Sequence, residues 1–180
     1  MIEDELLKWK FKSGSSDALQ RIYQKYRDYL LTVAMALVND AGLAEDALHD
    51  VFLAFAQSTE RFKIHGSLRS YLITCTANRC RDQLRSRKRQ PLGLADDDYL
   101  QSHTDTPDKR IICDELSRQV ADAMAQLPYE QREVVALHVN AAMKLRHIAA
   151  IQNVSVSTVK GRYRYGLQKL RSVLNGRLEK

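Results

Sequence analysis

LPYEQREVVALHVNAAMKLRHIAAIQNVSVSTVKGRYRYGLQKLRSVL, Leu127 to Leu174, reads as a helix, a short second helix, a sharp turn and a long cationic helix. Leu145, Ile148, Ala149 and Ile151 give the short helix an apolar stripe. Asn153 stands where the chain must turn, and asparagine tolerates the left-handed conformation better than most residues. Ser155 or Ser157 is placed to cap the next helix. Val156, Val159, Tyr163, Leu167, Leu170 and Leu174 recur at spacings of three and four, which predicts the buried face of that helix. Ser157, Thr158, Lys160, Arg162, Arg164 and Tyr165 are left on the other faces, as donors suited to phosphates and base edges. The pattern is a helix-turn-helix whose second helix is shaped for a DNA major groove. The plainer alternative is a surface helix with solvated lysines and arginines.

Working outward, Pro128 opens the helix before this motif at its first turn, and another helix runs from about Lys109 to Gln126. Residues 90 to 108 (QPLGLADDDYLQSHTDTPD) lack periodicity, hold two of the three prolines and carry Asp96, Asp97 and Asp98 in a row, so they read as a flexible acidic linker. In the first 90 residues helical spacing dominates and no strand pattern occurs. Helices are predicted from Ser16 or Asp17 to about Val38, from Ala44 to Ser58, and from Leu68 to Ser86, with Asn39, Asp40 and Gly42 breaking the first from the second and FKIHGS around Gly66 forming a loop. The expected fold is all-α: a helical domain over 1–89, a linker over 90–108 and a helix-turn-helix domain over 109–180.

Charge is distributed in blocks. The net charge is +6 with a pI near 9.3. From Arg79 to Arg89 there are six cations against Asp82, and from Ser157 to Lys180 seven cations against Glu179. Between them, Pro91 to Glu115 carries seven acids against Lys109 and Arg110. Two basic clusters separated by an acidic segment suit two contacts on one polyanion. No apolar run approaches the roughly 20 residues of a membrane span, and the charged start MIEDELLKWKFKSG lacks the apolar stretch of a signal peptide, so a cytoplasmic protein without membrane insertion is expected. Cys75, Cys80 and Cys113 form no CxxC pair and read as reduced thiols. Clustered carboxylates for two metals and a phosphate-binding glycine loop are both missing from the sequence, so neither catalysis nor a cofactor is expected.

Three segments together resemble the extracytoplasmic-function (ECF) group of bacterial RNA polymerase sigma factors, over nearly the whole chain. Asp46-Ala47-Leu48-His49-Asp50-Val51-Phe52 is similar to the family's polymerase-binding helix. Glu60-Arg61-Phe62 through Arg89 resembles the segment that melts and reads the −10 element. Leu127-Pro128 through Val134, with Thr158-Val159-Lys160 and Arg162, resembles the LPxxxRxV start and TVK-x-R recognition helix of the −35 reading domain. The chain departs from the pattern at His49, where Gln is common, at Leu68 and Tyr71 for Phe and Trp, at Ala142 and His147 for Gly and Glu, and at Gly161 for Ser or Arg. The resemblance implies core RNA polymerase and promoter DNA as partners, together with an anti-sigma protein.

Residue chemistry supports specific roles. Glu45, Asp46, His49 and Asp50 share one helix face away from the apolar stripe, suited to a basic protein surface, with Leu48 or Phe52 at its margin as an anchor. Lys63, His65 and Ser67 offer donors in the loop around Gly66, and Tyr71 and Asn78 follow on the next helix, a set suited to trapping separated bases. Arg79, Arg81, Arg85, Arg87, Lys88 and Arg89 suit phosphates without base specificity. In the recognition helix Ser157, Lys160, Gly161, Arg164, Tyr165 and Gln168 share one face; Lys160 and Arg164 suit guanine edges, and Arg162 and Arg171 suit phosphates. Gly161 either admits the DNA backbone closely or occupies the position at some cost to the helix. The competing function is a stand-alone helix-turn-helix regulator that binds duplex operators without polymerase.

Overall fold

The computed structural model describes residues 2–58, 66–89 and 111–178, and among these residues it contains eight α-helices and no strand. The helices are α1 (Ile2–Lys12), α2 (Ser16–Val38), α3 (Ala41–Gln57), α4 (Leu68–Arg89), α5 (Ile111–Ala125), α6 (Tyr129–Val139), α7 (Leu145–Gln152) and α8 (Val156–Leu178).

In the first half, α2 is the central rod, packed against α1, α3 and α4. Its cap is Ser15, whose hydroxyl accepts a hydrogen bond from the Ala18 amide at 3.3 Å, one residue before the capping positions the sequence suggests. Asn39 ends it in the left-handed conformation at φ 54°, and Asp40 at once caps α3 by accepting from the Leu43 amide at 3.0 Å. The break between the two helices is therefore only two residues long, and Gly42, expected in the break, lies inside the first turn of α3. The apolar faces of these helices meet here: Ile22, Leu30, Val33 and Leu37 of α2, Ala47, Val51 and Phe55 of α3, and Leu72, Ile73 and Ala77 of α4 are buried together. α1 has no counterpart in the sequence reading. It closes the bottom of this core with Leu7 and Phe11, and the Phe11 ring stacks on Phe55 at 4.3 Å between centroids.

In the second half, α6 and α7 pack on α8, which also meets α5. Asn153 turns α7 into α8 at φ 52°, and Ser155 caps α8 by accepting from the Thr158 amide at 3.1 Å. Pro128 is the N-cap of α6, just before its first turn. The buried line of α8 differs from the predicted one. Val159 and Gly166 are buried and Tyr163 and Leu170 partly so, whereas Val156 and Leu167 are exposed. Spacings of four, three and four keep the buried line facing α6, and at Gly166 the helices approach so closely that a Cβ would lie 3.0 Å from Val135 Cγ2. The two halves also touch: α2 packs against α5 and α6, and buried apolar residues from both halves belong to one core cluster.

Candidate nucleic-acid interface

The turn at Asn153 and the cap at Ser155 open α8, and most of its first residues face solvent. Ser157, Thr158, Lys160, Arg164, Tyr165 and Gln168 are all exposed, and Gly161 is half-buried. No heavy atom lies within 4 Å of where a Gly161 Cβ would stand. Arg164 donates to the Tyr165 hydroxyl at 3.2 Å with its guanidinium carbon 4.9 Å from that ring's centroid, which holds a cation and an aromatic side by side on the open face. The Ser155 hydroxyl lies 2.7 Å from that of Ser157 and 2.8 Å from that of Thr158, so the short polar chains at the helix start share one network. Arg162 turns inward, donating to Gln152 Oε1 at 2.7 Å. The predicted groove-reading set is thus brought together, and Arg162 is set apart from it.

On α4 the predicted phosphate contacts divide. Arg85, Lys88 and Arg89 are exposed, with no ion-pair partner among the described residues. Arg79 donates to Asp50 Oδ2 at 2.7 Å, and Arg87 reaches Asp40 at 3.4 Å. Arg81 departs from the expectation of a solvent-facing cluster. Its side chain is only 18% exposed and its Nη2 donates to Glu133 Oε1 of α6 at 2.6 Å. The reason is the docked second half, which covers that turn of α4. Asn78 is exposed and accepts from Arg81 Nη1 at 3.2 Å.

Tyr71 is half-buried beside Phe55, with ring centroids 6.2 Å apart, and burial first, then Cys75, pushes its hydroxyl pKa up to about 12. Ser67 serves the start of α4, where its hydroxyl accepts from the Ser70 amide at 3.5 Å. Gly66 sits at φ 119°, a conformation that favours glycine, and its carbonyl accepts from Lys8 Nζ at 2.9 Å, so α1 braces the end of this loop. Lys63 and His65 lie outside the described residues.

On α3, Asp46, His49 and Glu45 are exposed and Asp50 half-exposed, on the face away from the core. Leu48 and Phe52 do not stand at its margin as expected. They are 5% and 7% exposed, because the apolar stripe of α3 is wide enough for both to enter the core. Phe52 meets the Tyr23 ring edge-on at 4.8 Å under a shallow apolar groove shared with Leu19. The exposed large apolar residue of α3 is Leu53, at 50%.

Sequence reasoning also missed the polar centre between the halves. Glu133 is 1% exposed and accepts from Arg81, from the Tyr129 hydroxyl at 3.2 Å and from Gln152 Nε2 at 2.8 Å. Arg132 beside it is half-buried, its Nε has no partner, and burial lowers its pKa. Among the described residues Cys75 and Cys80 are free thiols, no group of acids, histidines and cysteines could hold a metal, and no helix is long and apolar enough to cross a membrane.

Comparison with known proteins accounts for both halves. Residues 22–90 match the family model of Sigma-70 region 2, and residues 117–170 that of Sigma-70, region 4. The RNA polymerase sigma factor CarQ of Myxococcus xanthus is 28% identical over 170 residues, 94% of this chain and 96% of that one. The ECF RNA polymerase sigma factor SigW of Bacillus subtilis is 24% identical, over 91% of this chain and 92% of that one. The fold is shared with CnrH, solved in complex with the cytosolic domain of CnrY, at a TM-score of 0.71 and 22% identity over 96% of this chain and 97% of that one. It is shared also with the sigma factor RpoE of Bartonella quintana, solved with the anti-sigma factor NepR, at 0.64 and 19% over 87% and 98%. The two region models fall in order on the helices that carry the acidic α3 face and the open α8 face, and the relatives align end to end. The chain belongs to the extracytoplasmic-function group of RNA polymerase sigma factors.

Proposed function

We propose that this sigma factor binds core RNA polymerase through the exposed acidic face of α3, with Asp46, His49 and Asp50 opposite a basic surface and Leu53 as the apolar contact beside them. Residues 1–89 engage the polymerase and the −10 element, 90–108 connect, and 109–180 read the −35 element. The observation that carries this reading is the open face of α8: Lys160 and Arg164 are exposed on one side of a capped recognition helix and free to meet base edges. Arg85, Lys88 and Arg89 hold phosphates, and Lys63, His65, Ser67, Tyr71 and Asn78 surround the separated strands. The protein acts in the cytoplasm as an initiation factor without catalysis of its own. An anti-sigma protein, like the one in the NepR complex of the RpoE relative, restrains it.

The test is transcription in vitro with core polymerase and a pool of genomic promoter fragments. Specific transcripts that vanish with Asp46→Arg are expected, and Lys160→Ala should weaken −35 discrimination by about 1–3 kcal/mol. Specific duplex binding with no transcript from any fragment would refute the reading and favour a stand-alone regulator.

A further inference from the structure

Glu133 is a buried carboxylate that no proposed contact with polymerase or promoter uses. Tyr129 and Gln152 bind it from its own half, and Arg81 binds it from the other. The same Arg81 donates to the Ile151 carbonyl at 3.3 Å, and Gln152 passes the network on to Arg162 of the recognition helix. A continuous polar chain therefore runs from α4 through α6 and α7 to α8. A second bridge lies across the same seam, where Arg69 donates to the Tyr29 hydroxyl at 2.7 Å and Tyr29 donates to the Asn140 carbonyl at 3.4 Å.

Such a seam conflicts with the geometry of a promoter. Elements centred at −10 and −35 are about 25 base pairs apart, roughly 85 Å at 3.4 Å per step. A compact chain of this length has a radius of gyration of about 16 Å, so a diameter of about 40 Å. Both elements are reached only if the halves separate, and separation must break the Arg81–Glu133 pair. Arg81 meets Glu133 through Nη2, and Asn78 and the Ile151 carbonyl through Nη1, so both ends of its fork are occupied in the closed form and a phosphate that takes the fork must displace Glu133. On opening, both charges regain water, which offsets much of the loss and leaves a modest bias that polymerase binding can reverse.

We propose that Glu133 is an internal stand-in for a nucleic-acid phosphate: it holds Arg81, and with it the two halves of the free protein, closed. It yields Arg81 to the sugar-phosphate backbone when the halves part. The second step rests on the assignment of Arg81 as a phosphate contact; the first does not.

The closing experiment uses the full chain, alone and with DNA, in two variants that break the pair from opposite sides. Glu133→Gln keeps an oxygen for Tyr129 but loses the charge and the second oxygen, which accepts from Gln152, and Arg81→Gln removes the other partner. Small-angle scattering without DNA should show both variants more extended than the wild type, with the closed-to-open ratio lowered about tenfold, and the double variant no more open than either single one. Binding to a single-stranded −10 oligonucleotide should then split them. Glu133→Gln binds more tightly than the wild type, whereas Arg81→Gln binds more weakly, with a salt slope reduced by about one. Circular dichroism melts identify folded variants, and either variant alone suffices for the scattering arm. Scattering curves of a folded variant that superimpose on the wild type would overturn the latch. Opening with unchanged oligonucleotide binding in both variants would overturn the phosphate substitution while leaving the sigma assignment, tested by transcription, untouched.

Discussion

Replacing Gly161 by alanine should stabilise this protein, and the structure sets the size of the effect. Gly161 lies inside α8 with a negative φ, and a Cβ added there meets nothing within 4 Å. The substitution therefore gains the helix propensity difference between alanine and glycine, about 1 kcal/mol, with no steric charge against it. For a chain that melts as one unit of this length, that corresponds to a rise in Tm of about 3 °C. Gly166, five residues along the same helix, is an internal control. Its propensity gain is the same, but its Cβ would lie 3.0 Å from Val135 Cγ2, so Val135 or α6 must give way. Gly166→Ala should gain clearly less than Gly161→Ala or lose stability. Thermal melts by circular dichroism and urea unfolding with unchanged m-values measure both. A Gly161→Ala protein no more stable than the wild type, or a Gly166→Ala protein stabilised just as much, would refute the packing argument. Duplex affinity on a −35 fragment adds an independent readout: if the DNA backbone approaches α8 at this position, the more stable variant binds DNA less well.

Two further expectations concern stability. Ala142 sits at φ 50°, in the left-handed region, where a non-glycine residue costs about 1–2 kcal/mol. Ala142→Gly should raise the urea-unfolding free energy by about 1 kcal/mol after the added freedom of the unfolded chain is deducted, and an unchanged or lowered value would contradict the backbone assignment. Burial pushes the Cys80 thiol and the Tyr26 and Tyr71 hydroxyls up to about 12 each. These groups are held neutral in the folded state, so the stabilisation is complete below the ordinary values of 9.0 for the thiol and 10.0 for the phenols. It is lost as pH rises from about 9 through 12, because the unfolded chain releases those protons first. Urea titrations across that range should show falling stability, and a flat profile would be inconsistent with the burial seen here.

The site was legible where its signal is local. The cap and the left-handed turn of the helix-turn-helix depend on Asn153 and Ser155 themselves, and an exposed recognition face follows from the helical period of Lys160, Arg164 and Gln168. Fine register was less legible. The choice between Gly166 and Leu167 on the buried side of α8 turns on a single residue, and hydrophobicity favours the wrong one. A glycine carries no apolar signal, yet it alone allows α6 to come this close. The same limit applies to α3, where Leu48 and Phe52 are as apolar as Leu53 and only the position of α2 decides which of them meets water.

The sequence by itself determined that the chain is helical, where its longer helices run, and which helix presents cations on an open face, because capping, turn chemistry and periodicity act over a few residues. Tertiary structure alone decided that α1 completes the core, that Asp50 accepts a hydrogen bond from Arg79, and that Arg81 meets a buried Glu133 52 positions away. Charges of opposite sign far apart in sequence have many possible partners. Which of them pair depends on where the packed helices place them and on how much water that packing removes.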